Sequence, residues 1–144
     1  MNKRGFTLIE VIVVMAVLTI MLAISAPSLI DWRQNAKIKE VARDILSGLR
    51  QARSMAVTEN QNIEVKINPV THQLKFNDVV QKTFPDNIKL EVAEEAEALT
   101  SAAEKSTIFE PQGSCNKLLK VRVNEDPSLE IKIESKATGL ARLP

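Results

Sequence analysis

The sequence predicts an α+β fold in which one long N-terminal helix packs on a mostly antiparallel β-sheet head. Three observations carry this. Of the 21 positions from Phe6 to Ala26, 17 are apolar. Further on, Ile38, Ala42, Ile45, Leu49, Ala52 and Ala56 recur at alternating steps of four and three, which draws one apolar stripe along a helix. From Ile63 the period falls to two, in short runs separated by turn residues. The 144 residues allow one domain of ordinary size. A net charge of +1 gives no general pull toward nucleic acid or anionic lipid. One cysteine excludes an internal disulfide framework and a multi-cysteine metal site. The absence of tyrosine, with one tryptophan and one histidine, argues against a base-stacking platform and leaves acid–base chemistry short of its usual residue. No cofactor or metal is expected.

The N-terminal segment comes first. Lys3 and Arg4 precede the apolar run, as the positive-inside rule wants for a cytoplasmic N-terminus. From Phe6 to Ile30 the single charge is Glu10. Twenty-five helical residues span roughly 37 Å, enough to cross a hydrocarbon core of about 30 Å. Glu10 is out of place there: a carboxylate in an apolar span costs about 2.5–3.5 kcal/mol on insertion scales. Either it snorkels to the headgroups, or it is protonated, or it has a partner. A secretory signal would use the small residues around Ala23-Ile24-Ser25, but the apolar run exceeds an ordinary h-region and contains Glu10. A plain signal anchor explains the length and the basic start, but not Glu10.

The residues Lys3-Arg4-Gly5-Phe6-Thr7-Leu8-Ile9-Glu10-Val11 resemble the class III leader of type IV pilins and type II secretion pseudopilins. The resemblance implies that residues 1–5 are a leader, that a prepilin peptidase cuts between Gly5 and Phe6, and that the same enzyme N-methylates Phe6. It also implies that Glu10 faces the N-terminal amine of a neighbouring subunit in a filament. Cleavage would remove Lys3 and Arg4, taking the side-chain net charge from +1 to −1, and create an ammonium at Phe6. That ammonium and the Glu10 carboxylate attract strongly in an apolar bundle, and each offsets the other's desolvation. The pair would therefore set the axial register between helices.

Under this resemblance residues 6–30 form a transmembrane, filament-core helix, 31–60 an amphipathic helix and 61–144 a β-rich periplasmic head. Pro27 either kinks a continuous helix, as the corresponding proline of pilin-like proteins does, or marks a membrane exit. If Phe6 to Val57 is one helix, it is about 78 Å long. Lys39, Glu40, Arg43, Ser47, Arg50 and Ser54 fall opposite the apolar stripe. Arg33, Lys37, Lys39, Arg43, Arg50 and Arg53 could suggest a nucleic-acid surface, but Asp31, Glu40, Asp44 and Glu59 interleave with them, which reads as a solvated, salt-bridged face.

In the head, Ile63–Ile67 alternates, Asn68-Pro69 starts a turn, and Gln73–Phe76 is a return strand. Ile88–Val92, Leu119–Val123 and Leu129–Ile133 alternate as well, the last two joined by a hairpin connection over Asn124–Ser128. Five to seven strands with one face on the helix are expected. The Ala/Glu-rich Glu91–Lys105 reads as a helix or a mobile acidic loop.

Two further features narrow the resemblance to GspH/FimT-like minor pseudopilins: Ala52-Arg53-Ser54-Met55-Ala56-Val57 closing the helix, and Phe109-Glu110-Pro111-Gln112-Gly113 entering a late strand. The resemblance then implies a structural, low-copy subunit of a type II secretion pseudopilus or type IV pilus, without enzymatic activity. Its implied partners are other pilin or pseudopilin subunits through the N-terminal helix, the peptidase, an inner-membrane assembly platform and the inner membrane itself, with nucleic acid not expected. Two rivals stay open. Some FimT-like proteins bind DNA for uptake through a C-terminal Gly-Arg-x-Arg; here Gly139 and Arg142 match while Leu140 replaces the first arginine. The other is a tethered periplasmic enzyme using His72, expected as an exposed turn residue, or Cys115, expected as a free thiol or an intermolecular partner. No nucleophile or metal motif accompanies either residue.

Overall fold

The computed structural model describes residues 6–95 and 97–143, with side chains described at all of these except 24–31. The chain divides into two compact units, residues 1–37 and 38–144. Helix α1, Leu8–Glu59, contributes to both.

In the first unit Thr7 ends the helix. Its carbonyl accepts the Glu10 and Val11 amides at 3.1 and 3.3 Å. Its hydroxyl oxygen stands 3.4 Å from the Glu10 amide. Thr7-x-x-Glu10 is the spacing of a capping box, and a carboxylate in the first turn complements the helix dipole. Thr19, the other polar residue between Leu8 and Ala23, turns its hydroxyl back to the Met15 carbonyl at 2.8 Å, so it leaves no unmet donor. Phe6, Leu8, Ile9, Val11–Met15, Val17, Leu18, Ile20–Leu22 and Trp32 are all exposed. The helix assignment continues through Pro27 and does not end there.

In the second unit the rest of α1 lies on two four-stranded antiparallel sheets. In chain order the strands are β1 Ile63–Asn68, β2 Gln73–Phe76, β3 Val79–Thr83, β4 Leu90–Glu94, β5 Lys105–Phe109, β6 Leu119–Val123, β7 Glu130–Ile133 and β8 Ala141–Arg142. One sheet has the order β3-β2-β1-β5, the other β4-β6-β7-β8. The apolar members of each alternating run face inward, so Val65, Ile67, Leu74, Phe76, Phe109, Val92, Val121 and Ile131 join one core with the helix stripe. Ala42, Ile45, Leu49, Ala52 and Ala56 of that stripe are fully buried, and Ile38 packs against them half-buried. The opposite face, from Lys39 to Ser54 at the expected positions, is exposed. Gly48 allows a close approach of helix to sheet: a Cβ there would stand 2.4 Å from Leu74 Cδ2.

Several expectations are corrected. The head has two sheets rather than one of five to seven strands. β3 escaped notice because all five of its residues are exposed, so it carries no alternation. Glu91–Lys105 is not a helix: it begins inside β4 and ends at the start of β5, and Val92 and Thr100 exchange backbone bonds of 2.8 and 2.9 Å between them. The glutamates are held rather than free. Glu94 pairs with Lys117 at 2.8 Å, Glu97 with Lys105 at 2.5 Å, and Glu95 with Lys136. Tertiary pairing thus overrides the helix propensity of Ala and Glu. Phe109–Gly113 leaves strand β5 rather than entering a strand. Between β6 and β7 the chain makes a 3-10 turn at Pro127–Leu129, capped by Asp126, whose carboxylate accepts the Ser128 amide at 2.9 Å. That turn takes Leu129 out of the strand. Apart from these corrections, among the described residues no helix is long and apolar enough to cross a membrane. The side chains of 24–31, which complete the expected span, lie outside the description.

Candidate functional site

The expected processing and assembly residues fall in the first unit. Gly5 lies outside the described residues. Phe6 and Thr7 precede the helix, and Phe6 is 79% exposed. Glu10 is exposed in the first turn, bordered by Phe6, Leu8, Ile9 and Val11. Its own Thr7 satisfies its amide, while among the described residues its carboxylate has no hydrogen-bond or ion-pair partner. Over residues 8–23 the segment therefore offers one acid on an exposed helix surface that is otherwise apolar but for Thr19. That surface can bury itself against other helices or lipid, and the acid then requires a cation or a proton. Pro27 sits within the helix, and its side chain is outside the description.

In the second unit the two features that narrowed the resemblance meet. The Arg53 side chain, half-buried near the end of α1, shares its Nε–H between the Gly113 carbonyl at 3.0 Å and the Thr138 carbonyl at 2.8 Å. Gly113, at φ +84°, ends the Glu110–Gly113 turn, closed by its own amide on the Glu110 carbonyl at 2.8 Å. Glu110 also accepts from Gln112 at 2.8 Å and from the Ser114 hydroxyl. Arg50 adds a longer contact to the Ala141 carbonyl at 3.5 Å. On the other flank of the helix Asp44 pairs with Lys82 of β3 at 2.7 Å. These basic residues fasten the helix to the head. Arg53, expected on a solvated face, is the one that sequence reasoning misplaced.

The enzymatic candidates do not assemble a reactive site. His72 is in its turn as expected, at φ +52°, but its side chain is only 15% exposed. Nε2 lies 3.0 Å from the Ile88 carbonyl and Nδ1 3.6 Å from Asp86. Through Nε2 the ring ties the β1–β2 turn to the 84–90 connection. A neighbouring hollow of about 280 Å³ is lined by Pro69, Ser101 and the Lys89–Glu125 ion pair, and among the described residues the imidazole makes no hydrogen bond to the Ser101 hydroxyl. Cys115 is buried, and burial pushes its thiol above the ordinary range, the opposite of an activated nucleophile. Among the described residues no group of three metal-ligating side chains converges.

The tail bears on the DNA-binding rival. Gly139 is at φ +56°, and a Cβ there would meet the Gly113 carbonyl at 2.5 Å, so this glycine is accounted for by packing. Arg142 lies on β8 with Glu134 at 3.5 Å, and Leu140 beside it is 40% exposed. A single arginine already facing a carboxylate supplies little phosphate affinity.

A long N-terminal helix laid on antiparallel sheets, with an uncovered apolar start, is the architecture of pilin-like subunits. A family model described as a prokaryotic N-terminal methylation motif matches residues 1–26, and one described as type II transport protein GspH matches residues 41–140. The chain belongs to the GspH family of pseudopilins. Two solved structures of the minor pseudopilin EpsH from the type 2 secretion system of Vibrio cholerae share the fold. The first has a TM-score of 0.58 at 13% identity, covering 74% of this chain and 94% of that one. The second has a TM-score of 0.57 at 16% identity, covering 75% and 93%.

Proposed function

We propose that this chain is a minor, low-copy subunit of a type II secretion pseudopilus, made as a precursor and matured before assembly. Residues 1–5 are its leader. Prepilin peptidase cuts between Gly5 and Phe6 and methylates the new amine. Residues 6–30 hold the precursor in the inner membrane with the head in the periplasm, until an assembly platform passes the subunit to the filament. There the same helix packs among those of neighbouring pseudopilins, and the Phe6 ammonium of one subunit meets Glu10 of the next. As a low-copy member it primes or tips the filament rather than forming its bulk.

The observation that supports this reading most is the coincidence of two things on one segment. The methylation motif matches residues 1–26, and within that stretch residues 8–23 expose a helix surface that is apolar but for Thr19 and one acid in its first turn. The GspH match over the head supports secretion rather than a type IV pilus. Mass spectrometry of the mature protein tests it. An N-methylated Phe6 as first residue is expected; a mature chain that still begins at Met1, or one that begins near Ala26, rejects it.

A further inference from the structure

We propose that residues 134–143 form a strap that opens and closes as one unit, with Arg53 as its latch. This stretch has little sheet of its own, since β8 is two residues on a sheet edge and pairs only with Lys132 and Ile133. Single tethers to separate elements hold the rest. The Lys136 carbonyl accepts the Cys115 amide at 2.7 Å, and the Lys136 ammonium pairs with Glu95. The Thr138 carbonyl accepts from Arg53 at 2.8 Å. Within the strap, the Glu134 amide donates to Leu140 and the Gly139 amide to Ser135, both at 2.9 Å, so it keeps its own shape as it moves. Its apolar grip is small: Ala141 is buried, Leu143 is half-buried and Leu140 is exposed. Few apolar contacts and a handful of separate hydrogen bonds are the marks of a segment that opens without global unfolding.

Arg53 is the latch because it binds the strap and the Gly113 turn through one donor, joining helix, turn and tail at a single point. Opening uncovers Cys115, which lies beneath the strap with Sγ 4.0 Å from the Ser135 carbonyl and only 3% exposed. It also strips β7 of its partner on that edge. Cys115 is the chain's one cysteine, so its thiol reports the opening without ambiguity.

The test is the rate at which full-length protein in detergent micelles reacts with a disulfide-exchange thiol reagent, followed as urea rises. Strap opening exposes little surface, so the rate at low urea is flat; global unfolding exposes the core, so the rate then climbs steeply. Arg53→Ala is expected to raise the flat region about tenfold or more, the weight of a lost charge-assisted hydrogen bond. Arg53→Lys keeps the charge without the planar fork and falls between; it carries the test if the alanine variant does not fold. Asp44→Ala breaks the helix's tie to β3 and leaves the flat region unchanged. A wild-type rate that is steep from zero urea overturns the proposal. So does an Arg53 variant that reacts as the wild type does, or an Asp44→Ala effect equal to that of Arg53→Ala.

Discussion

Gly48→Ala measures how tightly α1 is pressed onto the sheet. The new Cβ would stand 2.4 Å from Leu74 Cδ2, where real Cβ contacts essentially never fall below 3.0 Å. Helix or leucine must yield by more than half an ångström. Leu74 is 0% exposed, so its methyl has packed neighbours on its far side and little room to retreat. Two effects oppose each other. Alanine gains roughly 1 kcal/mol over glycine in a helix interior. Overpacking a closed core costs about 1–3 kcal/mol. Full burial of the struck methyl puts the cost in the upper half of that range, so the variant should be destabilised by about 1–2 kcal/mol. Leu74→Ala alone should cost about 2–5 kcal/mol, and in the double variant the added methyl occupies part of that cavity. The pair should therefore be more stable than the sum of the single changes by about 1 kcal/mol or more. Urea unfolding of the full-length protein in micelles, followed by circular dichroism, gives all four stabilities. An unharmed Gly48→Ala, or strict additivity, would refute the close approach.

Three other outcomes are expected. Glu10→Ala should still insert and be cut, because its span becomes more apolar, yet enter filaments poorly; normal incorporation, scored by filament immunoblot, would dismiss the pairing role. Lys132 and then Arg122 hold the Glu130 carboxyl below its ordinary 4.5. Its ionised form is therefore favoured by folding, so that its stabilisation is full above 4.5 and drains as pH falls through that value toward the folded one. The urea midpoint of wild type should drop more steeply on acidification than that of Glu130→Gln, and parallel curves would count against it. For Arg142, a duplex-DNA titration at low salt should show no difference between wild type and Arg142→Ala; salt-sensitive binding lost in the variant would revive the DNA-uptake rival.

The helix and most of the strands were legible because their burial is periodic. Ile38 to Ala56 shows its stripe, and β2 and β6 begin and end where the alternation does. What stayed hidden lacked that signature. β3 is exposed on both sides, β8 is two residues long, and β5 follows a Glu-rich stretch whose composition speaks for helix. The Glu91–Arg122–Glu130 ladder across three strands depends on register, which no single run reveals. Gly48 could have been noticed as a lone glycine inside a helical pattern, a signal of close packing. Arg53 gave no such warning: its position looked solvated, and its carbonyl partners lie 60 and 85 residues away.

The placement of Trp32 has a practical consequence. It is the chain's one tryptophan, no tyrosine is present, and it is 66% exposed on α1 in the first unit. Intrinsic fluorescence therefore reads the solvent around one exposed point on the helix. Under the proposed assembly, a blue shift of its emission would time the moment that neighbouring helices close around it, in unlabelled protein.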